Sequence, residues 1–255
     1  TLALLIAAIN PIHIHYSQTA RGYSLIMFFS TAVIYYCLKL LRTRKAGKDI
    51  VPLALCGFLS VYTLPTNVFF LLGLTVWLGT LFLVPSLMKE YGVFKEERRS
   101  LAICFLGAGA LIATASFLAY SPVLEELSGL TSTHHLVTSD LKTGSAIHLA
   151  TSILEKVFPG PLLWFFPFLL AGCFWGSRVH RPRLFLLLII YFIPLTITWL
   201  TGIGGYPRNY LFNLPLLVIF LAAGFVKVEE WITKRTPIHG ERNSVAGWIP
   251  AFYTV

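Results

Sequence analysis

Long apolar runs separated by short polar breaks set out the chain. Residues 1–10 are almost wholly apolar and are expected to form the end of a first spanning helix. After a polar stretch, residues 22–41 supply a run of the length a helix needs to cross a bilayer core, about 20 residues at 1.5 Å each. From Ile50 to Met88 there are 39 residues without a charge, close to two crossings. The break between them falls at Thr63-Leu64-Pro65-Thr66-Asn67. Proline drives the preceding residue out of the helical region, and Thr66 or Asn67 can cap the helix that follows. Spans are therefore predicted at 51–63 and 67–87, the first of them short.

Residues 100–120 predict another span, rich in small residues (Gly107, Ala108, Gly109, Ala110, Ala113, Ala115) that permit close helix contact. Three more follow at 158–177, 184–202 and 210–226. The fold class expected is all-α: a polytopic transmembrane bundle of about eight spans, the first one partial. One long polar segment, 121–157, interrupts the series. Ser121-Pro122 is a helix start signal, and Ala146, Ala150, Ile153 and Val157 recur at helical spacing. The segment is expected to carry helices lying on the membrane surface. Residues 1–226 thus form a transmembrane core, and 227–255 a cytoplasmic tail or truncated continuation.

Composition supports this class. The chain is 56% hydrophobic and 12% charged, with a mean hydropathy of +0.74, where globular domains carry about 25% charged residues. Cys37, Cys56, Cys104 and Cys173 all fall in apolar runs and are expected to act as small buried hydrophobes. Thr1–Ile9 has neither an initiator Met nor a basic leader, so it is not a signal peptide. The sequence is expected to be a fragment lacking its N-terminal part.

The net charge of +9 would suggest a nucleic-acid partner in a soluble protein. Its distribution points elsewhere. Residues 39–48, 89–99, 178–183 and 227–242 hold 16 of the 20 Lys and Arg. The positive-inside rule assigns these to the cytoplasm. Arg21, the 121–157 segment with Lys142 and Lys156, and Arg208 then face outward. The expectation is a multi-pass protein of the plasma (inner) membrane whose partner is the lipid bilayer, with no nucleic acid involved.

Candidate chemistry collects on the outward side. Arg21 is the one charged residue in the first 38 positions, set among Tyr16, Ser17, Gln18 and Tyr23. Arg208 lies in a second Tyr-rich turn, Gly202-Ile203-Gly204-Gly205-Tyr206-Pro207-Arg208-Asn209-Tyr210. The arginine fork suits phosphate oxygens and keeps its charge. Two arginines at the outer interface fit a lipid-linked phosphate. They equally fit anchors that snorkel to lipid headgroups. His13, His15, His134, His135 and His148 share this side. No carboxylate or Cys completes a recognisable ligand spacing with them, so a divalent metal is a minor alternative to no cofactor. Glu125, Glu126, Asp140 and Glu155 are the outward carboxylates and the weak candidates for a general base. Glu125 and Glu126 could instead serve only the first turn of a surface helix.

The segment Tyr16-Ser17-Gln18-Thr19-Ala20-Arg21-Gly22-Tyr23 resembles the Tyr-Ser-x-x-Ala-Arg-x-Tyr segment of GT-C class polytopic glycosyltransferases. The closest branch is the family-39-like one, with the dolichyl-phosphate-mannose–protein mannosyltransferases and the aminoarabinose transferases. Pro207-Arg208-Asn209-Tyr210-Leu211-Phe212-Asn213-Leu214-Pro215 is similar to the family's Arg-Tyr-x-x-x-x-x-Pro segment, with Asn209 inserted between Arg and Tyr. The resemblance implies transfer of a sugar from a polyprenyl-phosphate donor to a protein, lipid or glycan acceptor on the outer face. It implies Arg21, Arg208, Tyr16, Tyr23, Tyr210 and Gln18 as the donor-phosphate site. The catalytic carboxylate it implies precedes Thr1. The rival expectation is a multi-span transporter or flippase-like protein without transferase activity. Against it stand the lack of an inverted repeat and the gathering of lone charges toward one face.

Overall fold

The computed structural model describes residues 2–9, 22–43, 46–123, 166–179, 181–201 and 212–235. Every regular element among them is helical. They are α1 (Leu2–Ile9), α2 (Tyr23–Thr43), α3 (Ala46–Thr63), a 3₁₀ turn (Pro65–Asn67), α4 (Val68–Leu83), α5 (Pro85–Lys89), α6 (Lys95–Tyr120), a second 3₁₀ turn (Ser121–Val123), α7 (Phe166–Val179), α8 (Arg181–Thr201) and α9 (Leu214–Arg235). Three stretches among the described residues are long and apolar enough to cross a membrane: Tyr23–Thr43, Pro65–Leu83 and Glu97–Tyr120. The surface suits that setting. Leu83, Leu106, Phe28 and Phe117 each expose more than half of their area, and the Glu97–Tyr120 helix is the least buried of the three. An apolar face of that kind costs little against lipid and much against water.

The helix boundaries have local causes. Gly22 takes φ +69° and its carbonyl accepts from Ile26 at 3.0 Å, which opens α2. A side chain there would be strained by the left-handed backbone alone. Lys39 near the end of α2 pairs with Asp49 in the first turn of α3 at 2.7 Å and closes the hairpin. Leu64 is extended (φ −149°, ψ 112°) ahead of Pro65, and Val84 (φ −106°, ψ 96°) ahead of Pro85, as the clash with a following proline ring requires. Gly92, φ +68°, closes the turn after α5. The Glu97 carboxylate accepts from the Phe94 amide at 3.3 Å and caps α6.

Ser121 sits at a junction: its hydroxyl donates back to the Leu118 carbonyl at 3.0 Å at the end of α6, and the Ser-Pro pair begins the 3₁₀ turn to Val123, beyond which the chain lies outside the described residues. Asn67 makes no capping bond with its side chain. That side chain is turned into the bundle, where its amide nitrogen donates to Ser30 Oγ at 3.2 Å. Lys95 to Arg99, ahead of the span predicted at 100–120, form the first turns of α6. The surface helix expected within 121–157 lies outside the described residues.

Packing proceeds in pairs. α2 packs on α3, α3 on α6, α4 on α8, α7 on α9, and α1 on α9. Gly73 of α4 sits against Ile190 and Pro194 of α8, the nearest backbone atom 3.4 Å from where its Cβ would stand. At the α7–α9 seam two glycines face each other's backbones. A Cβ on Gly172 would overlap the Phe220 carbonyl, and one on Gly224 the Phe168 carbonyl. The rings of Phe168 and Phe225 stack beside them at 4.1 Å. Small residues serve this purpose where helices meet in a membrane.

Candidate functional site

The helix pairings gather several chain segments at one end of the bundle. Gly57 of α3 meets Ile112 of α6, and the Tyr120 hydroxyl donates to the carbonyls of Val61 and Tyr62 at 3.1 and 3.0 Å. Both contacts advance together, so α3 and α6 run parallel and end side by side. The second contact has a chemical cause. Pro65 has no N–H, so the Val61 carbonyl lacks its ordinary partner four residues on. The Tyr120 phenol supplies one. The start of α2 lies here too, because the Cβ position of Gly22 is 2.8 Å from Thr63 Cγ2. Phe212, just before α9, packs its ring against Phe70 in the first turn of α4 at 5.3 Å.

Gly22, Thr63, Asn67, Phe70, Tyr120 and Phe212 thus define one end. Lys39, Arg42, Lys48 and Asp49 lie at the other, where the α2–α3 hairpin closes. The parallel run of α3 and α6 brings Arg98 and Arg99, near the start of α6, to that same end. Two of the basic clusters therefore share an end, opposite the one bordered by Gly22, Val123 and Phe212. Gly22, which follows the Tyr16–Arg21 segment, Tyr120, which precedes the 121–157 segment, and Phe212, which follows the Arg208 turn, all lie at the first end; the start of α7 lies away from it, with Phe168 stacked on Phe225 well along α9.

Of the expected donor-site residues, the structure describes Tyr23. It is 6% exposed at the head of α2, with its side chain held in the packing. Arg21, Tyr16, Gln18, Arg208, Tyr210, Glu125 and Glu126 lie outside the described residues, as do His13, His15, His134, His135 and His148. Among the described residues no group of three His, Cys, Asp or Glu could hold a metal ion.

The end carries polar residues that sequence reasoning gave no part in a site. Ser30, Asn67 and Asn213 are each fully buried, at 0% exposure. Asn67 looked like a cap because it follows a proline at a helix start. Asn213 lies inside the Pro207–Pro215 segment, between Phe212 and Leu214. The available signal was chemical: an amide in an apolar run belongs at the surface or at a polar partner. Compared with protein-family profiles, characterised proteins and solved structures, the chain has no match.

Proposed function

We propose that the protein is a multi-pass membrane glycosyltransferase of about eight spans. It moves a sugar from a polyprenyl-phosphate donor to an acceptor on the extracytoplasmic face. The observation that carries this reading is the shared end: Gly22 after the Arg21 segment, Tyr120 before the 121–157 segment and Phe212 after the Arg208 turn lie together. The two sequence motifs add their resemblance to it.

In this reading the lipid phosphate leaves, and its developing negative charge needs fixed positive partners in a site poor in water. Arg21 and Arg208 supply the charge, with Tyr16, Gln18, Tyr23 and Tyr210 as hydrogen-bond donors. A carboxylate takes the acceptor's proton; the resemblance puts it ahead of Thr1, and Glu125 and Glu126 are the candidates within this sequence. The 121–157 segment covers the acceptor.

The test is Arg21→Lys in protein expressed from its full coding sequence, assayed for sugar transfer from a polyprenyl-phosphate donor at matched expression. A headgroup anchor tolerates lysine, which also snorkels. A forked phosphate contact does not. Loss of one charge-assisted bond, about 1.5–3 kcal/mol, lowers turnover roughly 10- to 150-fold. Full activity would return Arg21 to the role of anchor. Orientation is checked separately: Gly129→Cys should be labelled from outside intact cells and Gly47→Cys should not. The reverse pattern would remove the outward-facing site.

A further inference from the structure

We propose that Asn213, Asn67 and Thr66 form a binding site for a neutral hydroxyl group at the junction of α2, α4 and α9. Among the described residues, neither Nδ2 nor Oδ1 of Asn213 has a hydrogen-bond partner, although the side chain is fully buried. Asn67 spends its nitrogen on Ser30 Oγ at 3.2 Å, and its buried Oδ1 has no partner among the described residues. The Thr66 hydroxyl is in the same state. Such atoms are rare in folded proteins because each forfeits its hydration. Here four of them lie on two segments, the turn before α4 and the residue before α9, that meet beside α2. The Asn67–Ser30 bond ties α2 to the turn before α4, and the Phe70–Phe212 ring contact brings in the start of α9.

The open atoms select the ligand. Asn213 offers both a donor and an acceptor. A fully ionised phosphate oxygen accepts but does not donate, and a metal ion does neither for an N–H. A hydroxyl does both, and it enters a buried place without the desolvation cost of an ion. Two sources share this chemistry, an ordered water and a sugar hydroxyl. Only the second rests on the transferase reading; the site itself stands without it.

The experiment measures thermal unfolding of the whole detergent-solubilised protein. Asn213→Leu removes the central amide at similar volume, and Thr66→Val exchanges one hydroxyl for a methyl. A bound hydroxyl loses a partner in either variant, and the melting temperature falls by about 2–4 °C or more. If Asn213→Leu does not yield folded protein, the smaller Thr66→Val change carries the same test. A melting temperature that rises on replacement shows that the polar atoms bind nothing, and overturns the site.

The source is read by adding either polyprenyl phosphate or polyprenyl-phosphate-mannose. A larger rise with the mannose lipid, its excess lost in Thr66→Val, assigns the site to a sugar hydroxyl. Equal rises with both lipids, alongside lowered melting of the variants, assign it to water. No rise with either lipid counts against the transferase reading and leaves the hydroxyl site occupied by water.

Discussion

The α7–α9 seam and the α3–α6 seam both depend on glycine, yet they tolerate change very differently. At α7–α9, Gly172 and Gly224 each face the other helix's backbone carbonyl. A carbonyl held in a helix cannot rotate away, so any side chain forces the two axes apart and unstacks Phe168 from Phe225. At α3–α6, Gly57 faces the outer carbons of Ile112, and a side chain can change rotamer. What fixes the α3–α6 pair is a polar contact at its end, the Tyr120 hydroxyl on two carbonyls of α3. One seam is specified by shape and the other by a hydrogen bond.

The contrast breaks most sharply with Gly224→Ala. Overpacking against a rigid neighbour costs about 3 kcal/mol or more. The variant should melt far below wild type, and Gly172→Ala should do the same. A variant with wild-type melting would show that the axes separate freely, and the seam would lose its special status. Gly22→Ala comes next. It forces a Cβ onto a left-handed backbone and against Thr63, at about 1–2 kcal/mol. Adding Thr63→Ser removes the touching methyl and should recover part of the loss, leaving the backbone share. Complete recovery would mean that the positive φ costs nothing.

Tyr120→Phe probes the other seam. It deletes the hydroxyl alone and should cost about 0.5–1.5 kcal/mol, the usual value of a net hydrogen bond. The smallest effect is expected from Gly57→Ala once Ile112→Val has removed the nearest carbon, since the pair roughly conserves volume. If Gly57→Ala alone proves as damaging as Gly224→Ala, the two seams are alike and the distinction fails.

The helices were legible in the sequence because apolar runs and prolines speak locally. Leu64 before Pro65 and Val84 before Pro85 break where steric exclusion requires, whatever the rest of the chain does. The basic clusters were legible for the same reason. The destinations of side chains were not. Asn67 carries the features of a cap, but its partner, Ser30, lies 37 residues earlier. No window along the sequence contains both. Ser121 begins the 3₁₀ turn that its Ser-Pro pair signals, but its hydroxyl serves the helix behind it, through the carbonyl three residues back. Of the candidate site, the sequence indicated which segments to watch, and the α3–α6 pairing with the Phe70–Phe212 contact showed that one neighbour of each lies at a common end. The buried amides beside them became visible only once three helices had been brought to one point.

The bond from Tyr120 also sets an order in time. The Val61 carbonyl is left without its helical partner as soon as Pro65 is joined to the chain, and the phenol that satisfies it lies 59 residues further on. At synthesis rates of about 5–20 residues per second, that delay is roughly 3–12 s. During it, α3 and α4 leave the ribosome while the end of α3 depends on water or the insertion machinery for its missing donor. The α3–α6 pair is therefore a late event in the birth of the molecule, and a chain halted before Tyr120 would present an α3 whose last turn is not yet closed.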